Sequence, residues 1–118
     1  MYRKRMLQLF ASIPRWLYFL LLLVAFELIA DILAKQFAVG GKVIFAILSL
    51  VGFVAANTAW LISLRTGAEL GKGAVLFAVL SAAGAVVIGM TLYHEKVTLY
   101  QGIGLFFGII AIAFLSME

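Results

Sequence analysis

Cysteine is absent from the 118-residue chain, which removes disulfides and thiolate metal sites from consideration. Histidine occurs once, as His94, too few for a histidine-based cluster, so neither a metal nor any other cofactor is expected. Charge is scarce too: 12% of residues are Asp, Glu, Lys or Arg against 66% hydrophobic ones. Soluble domains carry about twice that share of charge, so an ordinary soluble domain is excluded and a membrane protein is expected. The alternation of polar and apolar residues that a membrane β-barrel needs is missing from runs such as LYFLLLLVAF, which leaves helices as the spanning elements. Enzymatic chemistry is not expected, because no nucleophile stands beside a positioned base and His94 lies alone in a turn that reads as solvated loop. The net charge of +4 does not indicate a nucleic-acid partner: four of the nine basic residues (Arg3, Lys4, Arg5, Arg15) precede the first apolar stretch, where they suit lipid headgroups.

Four apolar stretches are long enough to cross a hydrocarbon core that needs about 20 helical residues: Trp16 to Ala34, Val43 to Leu64, Ala74 to Tyr93 and Thr98 to Ser116. The short links between them, KQFAVGGK, RTGAELGKG and HEK, force antiparallel neighbours. The expected fold is therefore an all-α membrane protein of four transmembrane helices. Residues 1–15 read as a basic interfacial segment and 16–118 as the four-helix domain. In the segment MYRKRMLQLFASIPRW, Met6, Leu7, Leu9 and Phe10 suit the acyl boundary and Pro14 ends a short amphipathic helix. A cleaved signal peptide is not expected, since the apolar run contains Glu27 and Asp31 and no small-x-small cleavage site follows. With an even number of spans, Arg3, Lys4, Arg5, Arg15, Arg65 and Lys72 share the side of the termini, against Lys35, Lys42 and Lys96 opposite. By the positive-inside rule the termini are expected in the cytoplasm.

The stretch FELIADILAK places two acids and a base, Glu27, Asp31 and Lys35, on successive turns of one helix face. Glu27 follows Trp16 by 11 residues, about 16 Å at 1.5 Å per residue and so near the midplane of a roughly 30 Å core. A carboxylate at that depth must be protonated, paired or facing a cavity. Two acids sharing an apolar stripe repel each other and are desolvated, a setting suited to proton uptake and release near neutral pH. An ion pair between Asp31 and Lys35 at the helix end is the favoured reading of the outer two groups; a second proton site at Asp31 is the alternative.

Asn57, Trp60 and Ser63 follow on adjacent turns of the second span. Asn57 reads equally as a substrate contact or an interhelical hydrogen bond, and Trp60 as an interfacial belt residue ahead of a substrate-stacking ring. The third span, GAVLFAVLSAAGAVVIGM, is rich in small residues that permit close backbone approach, with a lined cavity as the second option. In the fourth, the stretch GIGLFFGIIAIAFL carries Gly104 and Gly108 in a small-xxx-small pair and no ionisable group, so it is expected to pack against a copy of itself.

Taken together, AFELIADILAK, the glycine-rich link into the third span, SAAG within it and the closing LYHEKVTLYQGIGLFFGIIAIAFL resemble the small multidrug resistance family and, more broadly, the drug/metabolite transporter superfamily. The resemblance covers roughly residues 17–116. It implies a homodimer, usually antiparallel, in the inner (plasma) membrane of a prokaryote, whose two first-helix glutamates exchange protons for a cationic substrate. Carried over by position, Glu27 matches the family's glutamate, Ser81 its third-helix serine, and Gly104 with Gly108 its dimer-packing helix. The family's third-helix tyrosine and tryptophan fall near Phe77 and Leu80, and Asp31 stands where the family has a small or hydroxyl residue. The expected function is a proton-coupled antiporter exporting small or hydrophobic cations such as quaternary ammonium or guanidinium compounds, with Glu27, Asp31, Asn57, Trp60, Phe77 and Ser81 lining the site. A single four-helix chain offers too little polar lining for this alone, which again points to a dimer, with itself or with a homologous subunit. The alternatives are an accessory subunit of a membrane complex and a flippase-like carrier of lipid-linked polar headgroups, the latter reading anionic groups through Lys35.

Overall fold

The computed structural model describes residues 2–117 and forms five helices: α1 (Tyr2–Ser12), α2 (Arg15–Gly40), α3 (Val43–Arg65), α4 (Leu70–Leu92) and α5 (Leu99–Ser116). The described fold is all-α, and α2 to α5 are each long and apolar enough to cross a membrane. Pro14 separates α1 from α2. Its ring fixes φ at −65° and holds it extended, with ψ 149°; it also steers the residue before it away from helical geometry. The side chains of Met6, Leu9 and Phe10, three of the four on the expected apolar face of α1, lie outside the described residues. Leu7, the fourth, is exposed.

Two spans run further than the hydropathy alone indicates. α2 continues beyond Ala34 through Lys35 and Gln36, both good helix formers, and stops only where Gly41 takes the left-handed conformation at φ 74° and donates its N–H to the Phe37 carbonyl. α4 begins at Leu70, four residues before the first residue of the expected span, Ala74. The start of α5 follows the expectation: Thr98 caps it, accepting from the Gln101 N–H while the Gln101 side chain accepts from the Thr98 N–H.

α2 and α3 form the most extensive interface, an antiparallel pair. They close up where Ala30 meets Gly52, so tightly that a Cβ on Gly52 would lie 3.0 Å from that of Ala30. At the other end of the pair Ser63 Oγ donates to the Trp16 carbonyl at 2.7 Å. α4 runs in the same direction as α2 and packs on it, Gly84 receiving Leu28. α5 rests on α4, with Val79 against Gly108, and contributes no buried residue. The buried apolar residues are few, namely Leu20, Leu23, Ala30, Ala56 and Ala59. Lipid solvates apolar side chains as well as a protein core does, so outward faces stay apolar and only the helix seams close.

Candidate functional site

Glu27 belongs to the α2 stripe that also carries Leu20, Leu23 and Ala30, three of the buried residues, and is itself half-buried. It therefore faces the seam with the neighbouring helices rather than the outside of the bundle. One turn below it, Leu23 packs with Ala56 and Ala59, and Trp60 and Phe77 pack onto that cluster. The register of the parallel pair α2 and α4 is given by Leu20 against Gly73, Leu28 against Gly84 and Gln36 against Tyr93. On that register Ser81, half-buried on α4, stands at the level of Glu27. Glu27, Phe77 and Ser81 are thus brought to one seam, with Phe77 as its apolar floor.

Asp31 sits one turn further along α2 and is half-buried. The ion pair expected between Asp31 and Lys35 is corrected by the structure. The Lys35 ammonium goes instead to Glu95, 3.1 Å from its Oε1, and lies over the Tyr93 ring at 5.7 Å from the centroid. The reason lies in the topology. α2 and α4 end on the same side, and the turn after α4 folds back so that the Glu95 N–H donates to the Gly89 carbonyl. His94 makes the reversal, as a non-glycine residue at φ 54°. With no side chain at Gly89, the Glu95 carboxylate settles over the helix end beside Lys35.

Of the two expected site residues on α3, Asn57 stands apart and Trp60 joins the apolar floor of the seam. Asn57 is exposed, and its amide donates to the Phe53 carbonyl of its own helix at 3.0 Å, so within one chain it does not join Glu27. Trp60 is not an exposed belt ring: its six-membered edge packs on Gly73, where a Cβ would lie 3.1 Å away, and against the Leu23 cluster. The two α5 glycines also divide. Gly108 is covered by Val79 of the same chain, whereas a Cβ on Gly104 would meet nothing within 4 Å. Both line an open groove of about 350 Å³ between α4 and α5, with Ala78 and Ala82 opposite.

Sequence reasoning missed Tyr93 and Gln36. The Tyr93 hydroxyl accepts from Gln36 Nε2 at 3.1 Å and donates to the Ile32 carbonyl at 3.5 Å, fastening the end of α4 to α2. A signal was available: two spans pointing the same way must bring the late part of one, Lys35–Gln36, and the turn that follows the other, Tyr93–Glu95, to one level. The upper seam so formed holds an open cavity of about 100 Å³ bordered by Asp31, Lys35, Tyr93 and Glu95. Chemically, the arrangement offers one carboxylate within the helix seam, a second one turn above it, and a neutralised pair at the mouth. In comparison with known proteins, no family model, curated protein or solved structure matched the chain.

Proposed function

We propose that this chain is a proton-coupled antiporter for small cations, working as a dimer, in which Glu27 alternately holds a proton and a cationic substrate. The observation that carries this reading is the engagement of Lys35 by Glu95. The base that could have neutralised the acids of α2 is drawn to the end of α4, which leaves Glu27 and Asp31 facing the seam for protons and cations. A membrane-embedded carboxylate without a resident base must find its counter-charge in what passes through. Competition of proton and cation for one carboxylate is sufficient for exchange, provided that the two alternate states expose Glu27 to opposite sides. The likeness of AFELIADILAK to the small multidrug resistance family points to the same chemistry. Ser81 at the level of Glu27 supplies a hydroxyl for orienting a polar substrate, and Phe77 an apolar and aromatic surface for its body.

The headgroup-carrier reading relies on a Lys35 ammonium facing anions, whereas in this state it lies 3.1 Å from the Glu95 carboxylate. The test is proton release from detergent-solubilised protein near neutral pH on adding guanidinium, alkylammonium and aromatic cations. Release is expected with at least one of these classes, absent in Glu27→Gln and retained, though reduced, in Asp31→Asn. Silence across the panel, or undiminished release from Glu27→Gln, would overturn the assignment.

A further inference from the structure

The cavity at the mouth of the α2–α4 seam lies one turn beyond Glu27 and is bordered by Asp31. It is lined by Asp31, Tyr93 and Glu95, and by Lys35, whose ammonium lies 3.1 Å from Glu95 and 5.7 Å from the centroid of the Tyr93 ring. A carboxylate on one side and an aromatic face on the other is the pairing by which proteins recognise alkylammonium ions. Lys35 is itself an alkylammonium, tethered to the wall it contacts. From this juxtaposition we infer that the cavity bounded by Asp31, Tyr93 and Glu95 is a binding site for small primary ammonium ions, held in this state by the chain's own Lys35.

Tyr93 and the backbone of Glu95 are fixed without help from Lys35. Tyr93 is held by Gln36 and the Ile32 carbonyl, and the backbone of Glu95 by its bond to Gly89. Two carboxylates against one ammonium leave an excess negative charge, so a cation remains favoured when Lys35 swings out. It is free to do so: its side chain is 43% exposed, and the flexible four-carbon stem lets the ammonium reach water. The volume of about 100 Å³ admits an ion of a few heavy atoms. A primary ammonium brings three donors to the two carboxylates, and its carbon end fits the ring.

The site does not depend on the chemistry proposed for Glu27, and the experiment separates the two. The full chain in detergent is titrated with methylammonium chloride, against sodium chloride at the same ionic strength, while the Tyr93 ring and Gly89 amide resonances are followed by NMR. A tethered competitor acts at an effective concentration on the order of millimolar or higher. Lys35→Ala is therefore expected to show saturable shifts at a midpoint about tenfold below that of the unmodified chain. Lys35→Ala with Glu95→Gln should show none, and Lys35→Ala with Glu27→Gln should titrate like Lys35→Ala alone. No saturable shift in Lys35→Ala, or the same shift without Glu95, would overturn the inference. If Lys35→Ala does not fold, the unmodified chain and Glu95→Gln decide it: saturable shifts confined to the former support the site, and shifts in neither or in both refute it.

Discussion

Gly89 lacks a side chain, and the Glu95 carboxylate lies over the space this leaves: a Cβ there would come within 2.5 Å of Oε2. The pair that Glu95 makes with Lys35 is about half exposed on both sides, so its own worth is on the order of 0–1 kcal/mol. Alanine gains up to about 1 kcal/mol over glycine inside a helix. The two effects are of similar size and opposite sign, which makes stability a poor probe of Gly89→Ala and chemical accessibility a good one. The added methyl should displace the carboxylate and free Lys35, raising its modification rate by a water-soluble amine reagent several-fold with little change in thermal stability. An unchanged rate would show that Glu95 reaches Lys35 by another path. The residues of this cluster also show where reading a sequence reaches its limit. Glu27 and Asp31 were legible because their spacing is local and their chemistry foreign to an apolar run. The partner of Lys35 was not, since Asp31 at i−4 and Glu95, far along the chain, are equally good acids and only the shared direction of α2 and α4 chooses between them.

Among the helices, the tightest seams are those that glycine permits, and what opposes each glycine decides how much a methyl would matter. At Gly52 a Cβ would lie 3.0 Å from Ala30 Cβ and 3.4 Å from Ala30 Cα. Both atoms are fixed to the α2 backbone, so the helices must part. At Gly84 the gap is smaller, 2.7 Å, but the obstacle is Leu28 Cδ1, the far end of a side chain that can change rotamer. The shorter distance therefore belongs to the milder substitution. Gly52→Ala is expected to destabilise by about 1–3 kcal/mol, the usual range for overpacking, whereas Gly84→Ala should stay within about 1 kcal/mol of the unmodified chain as helix propensity offsets the shift of Leu28. Unfolding in mixed micelles measures both, and the reverse ranking would mean that the α2–α3 seam is looser than its geometry. The existence of these four helices was readable from length and hydropathy, which the bilayer imposes directly. Their ends were not: α2 runs to Gly40 because a left-handed glycine, not a change in polarity, stops it. Nor could spacing reveal that Gly108 is covered within its own chain by Val79, because a small-xxx-small pair does not say which neighbour it admits.

For the molecule as a whole, the distribution of charge decides how copies can be combined. Contacts at one end of the bundle set the start of α2 beside the end of α3, and the start of α4 beside the end of α5. Arg15, Arg65 and Lys72 consequently share one side, the side from which α1 leads. Six basic residues belong to that side, counting Arg3, Lys4 and Arg5, against Lys35, Lys42 and Lys96 on the other. A single orientation is therefore expected, with the termini in the cytoplasm. The absence of cysteine makes the test free of background. In intact cells a membrane-impermeant maleimide should label Val39→Cys, exposed beyond the Lys35 turn, and should reach Leu70→Cys, exposed at the start of α4, only after permeabilisation. Changing Arg3, Lys4 and Arg5 to glutamine leaves three basic residues against three, and both positions should then be labelled in part. The outcome bears on the proposed dimer. One orientation requires copies that pair in parallel or with a partner of opposite bias, and it places the exposed Asn57 of each copy on the same level of the membrane, where two amides can meet. Equal labelling of both positions in the unmodified chain would instead show dual insertion, remove the basis for a charge-fixed topology, and favour an antiparallel pair with its two Glu27 carboxylates about a common axis.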